Sequence, residues 1–275
     1  MNLPKSESQT GRRARGRPRG WDDKTAQNTI KSLDRAMEVF EYLSEDQGKP
    51  LSVLASETNQ SPATLYRVLI TLEGRGLVEF DAAEQVWNIG PQAFLIGARF
   101  LQRTSLVERA RPVLRRLMEV TGETANLGIE KSGQVLFLSQ VETEQSIRAF
   151  FPPGTLAPMH SSGIGKALLA EMPPDRVERH LASEPREAFT PNTIVDHDAL
   201  IADLKTTRAR GYSIDGEERN LGMCCIAAAV FDMNREAVAG ISVSGPTSRV
   251  GVDQIEPLSK AVIGAASELS KAIGG

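Results

Sequence analysis

Ser61-Pro62-Ala63-Thr64-Leu65-Tyr66-Arg67-Val68-Leu69-Ile70-Thr71-Leu72 is the stretch on which the fold of the N-terminal part turns. A serine followed by proline is a helix cap with proline at the first helical position. Leu65, Val68, Leu69 and Leu72 then recur at spacings of three and four, which predicts a helix with one core-facing side. Gly74 and Gly76 end it. Upstream, Leu33, Ala36, Met37, Phe40 and Leu43 predict a first helix, with Ser32 or Thr29 as its cap, stopped by Gly48 and Lys49-Pro50. Leu51 to Glu57 is a short second helix, and Asn59-Gln60 make the turn into the third. Downstream, Leu77 to Phe80 and Gln85 to Ile89 are short strands around an Asp81-Ala82-Ala83-Glu84 loop. Three helices and a β-hairpin make a winged helix-turn-helix, whose third helix enters the major groove of DNA. Its outward residues are Ser61, Ala63, Thr64, Tyr66 and Arg67. Small hydroxyls, a methyl and an arginine near a helix start suit phosphates, base edges and thymine methyls. The competing use of such a module is protein contact.

Charge is unevenly spread. The chain of 275 residues has a formal net charge of -3, yet residues 1–20 carry a net +5 and the remainder -8. Residues 29–90 hold five Lys and Arg against ten Asp and Glu, a poor balance for phosphate binding. Residues 1–28 are polar and glycine-rich, with few large apolar side chains, and are expected to be a disordered arm. Within them, Arg15-Gly16-Arg17-Pro18-Arg19-Gly20 resembles the core of an AT-hook, a slim strip suited to a narrow minor groove, although Ala14 stands where a proline is usual. Arg15, Arg17 and Arg19 are therefore candidate DNA contacts that offset the acidic body.

No stretch approaches the ~20 apolar residues of a membrane span, and no apolar segment precedes Ile30 that would read as a secretory signal. The two cysteines, Cys224 and Cys225, are adjacent, which excludes a disulfide scaffold and suits a reducing, cytoplasmic setting. No membrane partner is expected.

Residues 91–103 predict a linking helix with Phe94, Leu95, Ala98 and Leu101 along one side, read either as core of the winged helix or as a dimer contact and signal lever. A further helical repeat runs from Leu106 to Met118, where Pro112 forces a kink unless a new helix starts there. Residues 104–275 then alternate strands and helices. Strands are expected at Thr124–Glu130, Gln134–Gln140, Ile147–Phe151, Tyr212–Glu217, Ile226–Asp232 and Ala237–Ser244. Helices are expected at Ser161–Ala170, Asp175–Leu181 and Asp198–Arg210, with an amphipathic terminal helix from Ile255 to Ile273. The fold class is α+β, an antiparallel sheet with helices packed on it. No GxGxxG or GKS/T signal is present.

Three features of this second part carry chemistry. His160-Ser161-Ser162-Gly163-Ile164-Gly165-Lys166 is a polar, glycine-dense helix start whose free N–H groups suit a small anion such as a carboxylate; an ordinary helix start is the plain alternative. Asp215-Gly216-Glu217-Glu218 ends one strand and Cys224-Cys225 begins the next. A metal site there lacks a recognisable ligand spacing, and a thiol nucleophile lacks a visible base. Asp215 and Cys225 fit better as hydrogen-bonding groups lining a cavity. Ser242 and Ser244 alternate on an otherwise apolar strand and so share a face.

These segments together resemble the IclR family of bacterial transcriptional regulators over about Thr29 to Ile273. The resemblance rests on Ser32-Leu33-Asp34-Arg35-Ala36, the helix-turn-helix around Ser61 to Leu69, Leu156-Ala157-Pro158-Met159-His160-Ser161-Ser162-Gly163-Ile164-Gly165-Lys166-Ala167, Gly222-Met223-Cys224-Cys225-Ile226-Ala227-Ala228 and Gly240-Ile241-Ser242-Val243-Ser244-Gly245-Pro246. It implies an N-terminal winged helix-turn-helix that binds double-stranded operator DNA. It also implies a C-terminal GAF-like α/β domain that binds a small effector, a homodimer or dimer of dimers, and no enzymatic activity. In glyoxylate- and pyruvate-sensing members the ligand carboxylate lies on loop amides matching Gly163 and Ile164. Residues matching Asp215, Cys225, Ser242 and Ser244 complete that pocket, with Ala149 on its wall. The expected effector is accordingly a small carboxylate such as glyoxylate, pyruvate or a short oxo or hydroxy acid, since a nest, an acid and two serines leave little apolar wall. An aromatic acid is the alternative within the family, and a small-molecule enzyme fused to a winged helix is the alternative outside it. No cofactor is expected. Some family members bind zinc, but no ligand set here supports carrying a metal over.

Overall fold

The computed structural model describes residues 30–45, 48–104 and 106–275. The arm over 1–28, with Arg15, Arg17 and Arg19, lies outside the described residues. The chain forms two compact units that divide between Ile96 and Gly97.

The first unit runs α1 (Lys31–Leu43), α2 (Leu51–Glu57), α3 (Pro62–Glu73), β1 (Val78–Asp81) and β2 (Val86–Ile89). This is the order of a winged helix-turn-helix. Its core is Val39, Leu43, Leu54, Leu65, Leu69, Leu72, Val78 and Trp87. The expected inner face of α1 is corrected, because Leu33 and Met37 are exposed and Val39 and Leu43 are the residues it buries. Ser61 has an extended backbone, and its hydroxyl accepts the Thr64 N–H at 3.3 Å, so α3 starts with the expected cap. The first helix does not follow the expectation. It begins directly after Ile30, with no side-chain cap, because Ser32 is already inside the helix. The wing is tied back to the helices by Lys49, which exchanges two backbone hydrogen bonds with Trp87. At its tip, the Asp81 carboxylate accepts the N–H groups of Ala83 and Glu84 at 2.8 and 3.1 Å.

α4 (Pro91–Thr104) occupies the place of the expected linking helix and spans the division between the units. Phe94, Leu95 and Ile96 are exposed on it. α5 (Leu106–Thr121) then continues through Pro112 as one helix. Proline has no N–H, so the carbonyl of Glu108 gets no helical partner at that point.

In the second unit, β3 (Thr124–Lys131), β4 (Gln134–Val141), β5 (Leu156–Pro158), β6 (Ser213–Gly216), β7 (Met223–Phe231) and β8 (Ala237–Pro246) form one antiparallel sheet ordered β5-β4-β3-β8-β7-β6. One face is covered by α5 and α9 (Ile255–Ala272), whose apolar sides meet Ala125, Leu127, Ile226, Ile241 and Val243. The other is covered by α6 (Gly163–Glu171), with α7 (Pro174–Ser183) and α8 (His197–Arg210) outside it, around Val135, Phe137, Ile164, Leu168 and Ala227. The β3–β4 turn is tight because Ser132 and Gly133 both take left-handed backbone, at φ 51° and 82°.

One expected strand is corrected. Residues 147–151 are not a strand; β5 at Leu156–Pro158 takes the edge of β4 instead. Two carbonyls of this segment go to side chains. Arg249 donates to the Ile147 carbonyl at 2.8 Å and Gln140 to that of Ala149 at 3.4 Å, while the Arg148 side chain reaches Glu142.

The cap geometry at α3 yields a first prediction. Ser61→Ala removes the acceptor for Thr64 and is expected to cost about 1 kcal/mol in the stability of the first unit, read as a lowered urea midpoint at constant slope.

Candidate functional site

Four residues expected at an effector site, Asp215, Cys225, Ser242 and Ser244, converge by strand register. Asp215 on β6 faces Cys225 on β7, which faces Ser244 on β8. One row along, Ser213 faces Ala227, then Ser242, then Asn126 on β3, then Gln140 on β4. The two rows are two residues apart, so their side chains emerge on one face, the face that α6 covers. A bulge at Leu127/Gly128 re-phases β4, so that both Phe137 and Gln140 reach this side.

The N-terminus of α6 lies directly on these rows. Ser162 caps it, accepting the Gly165 N–H at 3.4 Å, and Ser213 donates to the Gly163 carbonyl at 2.6 Å. The approach requires two glycines. A Cβ at Gly163 would come within 2.6 Å of the Cys225 sulfur, and one at Gly165 within 2.3 Å of the Met159 carbonyl. The result is a small cavity of about 20 Å³ lined by Ser161, Ser162, Gly163, Ile164, Asp215, Arg219, Cys225, Ser242, Ser244 and the aromatic rings of Phe137 and Phe151. A second cavity of about 160 Å³ shares Phe151, Asp215, Arg219, Cys225 and Ser244 with it and adds Arg148, Ala149, Phe150 and Asn220. Larger hollows of about 330 and 580 Å³ lie against α7 and beside α9. Neither shares a lining residue with the α6 cavity.

Hydrogen bonding fixes the polar wall. Asn126, fully buried, donates to Ser242 and Ser244 at 3.4 Å each, and Gln140 donates to Asn126 at 3.1 Å. Asp215 accepts the Glu218 N–H at 2.8 Å, which folds the β6–β7 connection over the cavity. Glu217 there takes left-handed backbone at φ 63°. Thr190 and Thr193 hold this turn by donating to the carbonyls of Glu217 and Glu218 at 2.7 and 2.6 Å. On the other side, Arg249 pairs with buried Glu123 through two nitrogens, at 2.5 and 3.0 Å, and through its bond to Ile147 pins residues 147–151 beside the cavity. Phe151 stacks on Phe137 with centroids 4.9 Å apart.

Electrostatics separate the acids. The Lys166 ammonium is buried on α6 and meets Glu218 at 2.5 Å and Asp203 of α8 at 3.0 Å. Glu218 is therefore committed to an ion pair, although burial pushes its carboxyl above the usual range. Among the described residues, Asp215 has no such cation in contact. Burial, then the Glu218 charge, raise it to about 7. The Cys225 thiol is pushed up to about 12 by burial and by Asp215, with Ser244 and Ser242 hydrogen-bonding it. A thiol held protonated is a hydrogen-bonding wall group and not a nucleophile. Among the described residues, no group of three His, Cys, Asp or Glu is placed to hold a metal ion.

On the first unit, Ser61, Ala63, Thr64, Tyr66 and Arg67 are all exposed on one end of α3. Ser61 and Thr64 hydroxyls are 2.9 Å apart.

The chain matches the family profile "IclR helix-turn-helix domain" over residues 32–82 and "Bacterial transcriptional regulator IclR C-terminal" over residues 98–271. It belongs to the IclR family. The HTH-type transcriptional regulator BhcR of Paracoccus denitrificans is 52% identical over 261 residues, covering 94% of each chain. The transcriptional repressor IclR of Escherichia coli is 37% identical over 264 residues, covering 95% of this chain and 96% of the relative. The crystal structure of Thermotoga maritima IclR superposes with a TM-score of 0.75 at 28% identity, over 90% of this chain and all of that one. An IclR homologue from Microbacterium hydrocarbonoxydans, complexed with 4-hydroxybenzoate, shares the fold with a TM-score of 0.80 at 21% identity, over 88% of this chain and 98% of that one. Members of the IclR family are transcriptional regulators, and this chain is a DNA-binding transcriptional regulator.

Asn126, Gln140, Phe137, Phe151 and Arg219 also line or support this cavity, and no sequence motif pointed to them. Asn126 had a signal, as a polar residue alternating with Thr124 inside an apolar strand. Arg219 had none, because its position depends on the turn that Asp215 caps.

The perturbed acid gives a second prediction. Between about pH 4 and pH 7 folded Asp215 keeps a proton that the unfolded chain has released, so its contribution makes stability fall as pH rises through that window and level off above it. Asp215→Asn is expected to remove that part of the slope, read from denaturant midpoints across the window.

Proposed function

We propose that the protein is a repressor whose grip on operator DNA is set by a short oxo or hydroxy acid bound under the N-terminus of α6. The observation that carries this reading is the convergence of Gly163, Ile164, Asp215, Cys225, Ser242 and Ser244 on one small cavity, whose wall is completed by Phe137 and Phe151. A carboxylate there meets free backbone N–H groups at a helix start and serine hydroxyls, the partners a buried anion needs. Asp215, raised to about 7, stays protonated at lower pH and donates to the ligand instead of repelling it. The cavities of about 20 and 160 Å³ fall below the usual 300–1,000 Å³ of drug-sized sites, which favours a short acid over an aromatic one. The names of the relatives support the sign of regulation, since the Escherichia coli protein is a transcriptional repressor.

DNA is read by Ser61, Ala63, Thr64, Tyr66 and Arg67 of α3. Arg15, Arg17 and Arg19 add minor-groove contacts that offset the acidic first unit. The protein acts in the cytoplasm as a homodimer or dimer of dimers, for which exposed Phe94, Leu95 and Ile96 on α4 offer an apolar contact. Effector binding shifts the population between arrangements with different head spacing, and α4 carries the change.

Two measurements test this on a fragment from upstream of the protein's own gene. Ser242→Ala is expected to leave retardation of that DNA unchanged and to abolish its release by glyoxylate or pyruvate; loss of DNA binding in the absence of acid would defeat the site assignment. Deleting residues 1–20 is expected to weaken DNA binding and flatten its salt dependence, and an unchanged slope of log K against log salt would show that the arm makes no phosphate contact.

A further inference from the structure

Arg219 is a charged residue of this site that stands apart from the α6 amides, the serines, Asp215 and Cys225. It lines both cavities, at the boundary they share. Among the described residues lining the inner cavity it is the sole basic side chain, and Asp215 the sole acidic one. The guanidinium is held in place from behind. Its Cζ lies 3.8 Å over the Phe189 ring, and His160 stacks on that ring at 6.1 Å. His160 is anchored in turn by the Glu187 carbonyl at 3.0 Å, and burial lowers its basicity, so it adds no second cation. The backbone beneath Arg219 is fixed by Asp215, Thr190 and Thr193.

Charge accounting leaves Arg219 uncompensated. Glu218, its neighbour in sequence, is already paired with Lys166, which Asp203 also contacts. No carboxylate among the described residues lies within ion-pair distance of Arg219, and its Nη1 is buried with no hydrogen-bond partner. A buried, charged donor left unmade is costly, and the cost disappears when an anion arrives. A planar guanidinium offers two parallel N–H groups, the geometry that matches a carboxylate.

We propose that Arg219 is the counter-ion of the effector, placing the ligand carboxylate between the α6 N-terminus and its guanidinium, and so makes the pocket select an anion. This rests on the reading of the cavity as an effector site. It assigns the charge recognition to one residue at the boundary of the two cavities, outside the set of α6 amides, serines, Asp215 and Cys225. Protonated Asp215, the form that prevails below about pH 7, fits the same scheme, because an ionised carboxylate beside Arg219 would compete with the ligand for it.

The test is calorimetric titration of glyoxylate and of pyruvate into full-length protein, wild type, Arg219→Gln and Arg219→Lys, with circular dichroism and DNA retardation confirming that the variants fold and still bind DNA. Wild type is expected to bind at least one acid. Arg219→Gln is expected to weaken it by about tenfold or more, and Arg219→Lys to fall between the two, because lysine keeps the charge without the fork. Binding by Arg219→Gln within twofold of wild type would overturn the proposal, as would a lysine variant as weak as the glutamine one, which would mean that shape and not charge is lost. Absence of binding by wild type to both acids would overturn the effector reading itself, and this assignment with it.

Discussion

The buried ammonium of Lys166 is the constraint on which the second unit depends. An unpaired charge cannot remain in that interior, so Asp203 of α8 and Glu218 of the β6–β7 turn are drawn to it. Three pieces of chain far apart in sequence are thereby clamped at one point, and that point adjoins the cavity. Ion pairs this deep add little net stability over an apolar equivalent, but removing one partner strands the others at a cost of about 3–5 kcal/mol. Their return here is positional. With Glu218 fixed, Asp215 can cap the same turn, and Arg219 is delivered to the cavity's edge.

Around this clamp, the sheet works as a ruler. Register across β6, β7, β8, β3 and β4 sets Asp215, Cys225 and Ser244 in one row and Ser242, Asn126 and Gln140 in the next. A slip of one residue on any of these strands would turn its polar groups to the α5–α9 face, where the packing is dominated by apolar side chains. The apolar face thus enforces the polar one. The glycines at 163 and 165 complete the arrangement by letting the helix start press against the rows.

Local signals explain what the sequence alone made visible. Ser61-Pro62, the leucines of α3 and the paired strands of the wing act within a few residues, so the first unit could be read directly. Ser242 and Ser244 were visible as an alternation, and Gly163 as a helix start. The α1 cap misled because propensity at Ser32 says nothing about where the helix begins. Residues 147–151 alternate like a strand, yet the edge of β4 belongs to Leu156–Pro158 and the segment is held by Arg249 and Gln140 instead. Asn126, Gln140 and Arg219 owe their places to a bulge, a long-range register and a capped turn. No window of sequence contains those causes. The family resemblance grouped residues 163, 164, 215 and 225, and all four line one cavity.

The strand order carries a consequence for synthesis. β3 and β8 are neighbours at the centre of the sheet, though β3 ends at Lys131 and β8 begins at Ala237. Contacts that distant form late, after the intervening chain has been made. The contacts of the first unit are short-range and available early. A nascent chain therefore acquires its DNA-reading head while the sheet is still open, and the sensing half is finished only when the last strand and α9 leave the ribosome. Premature termination after the wing is complete but before Ala237 would yield a head without a regulator, a truncated product that carries the DNA-reading helix and answers to no signal.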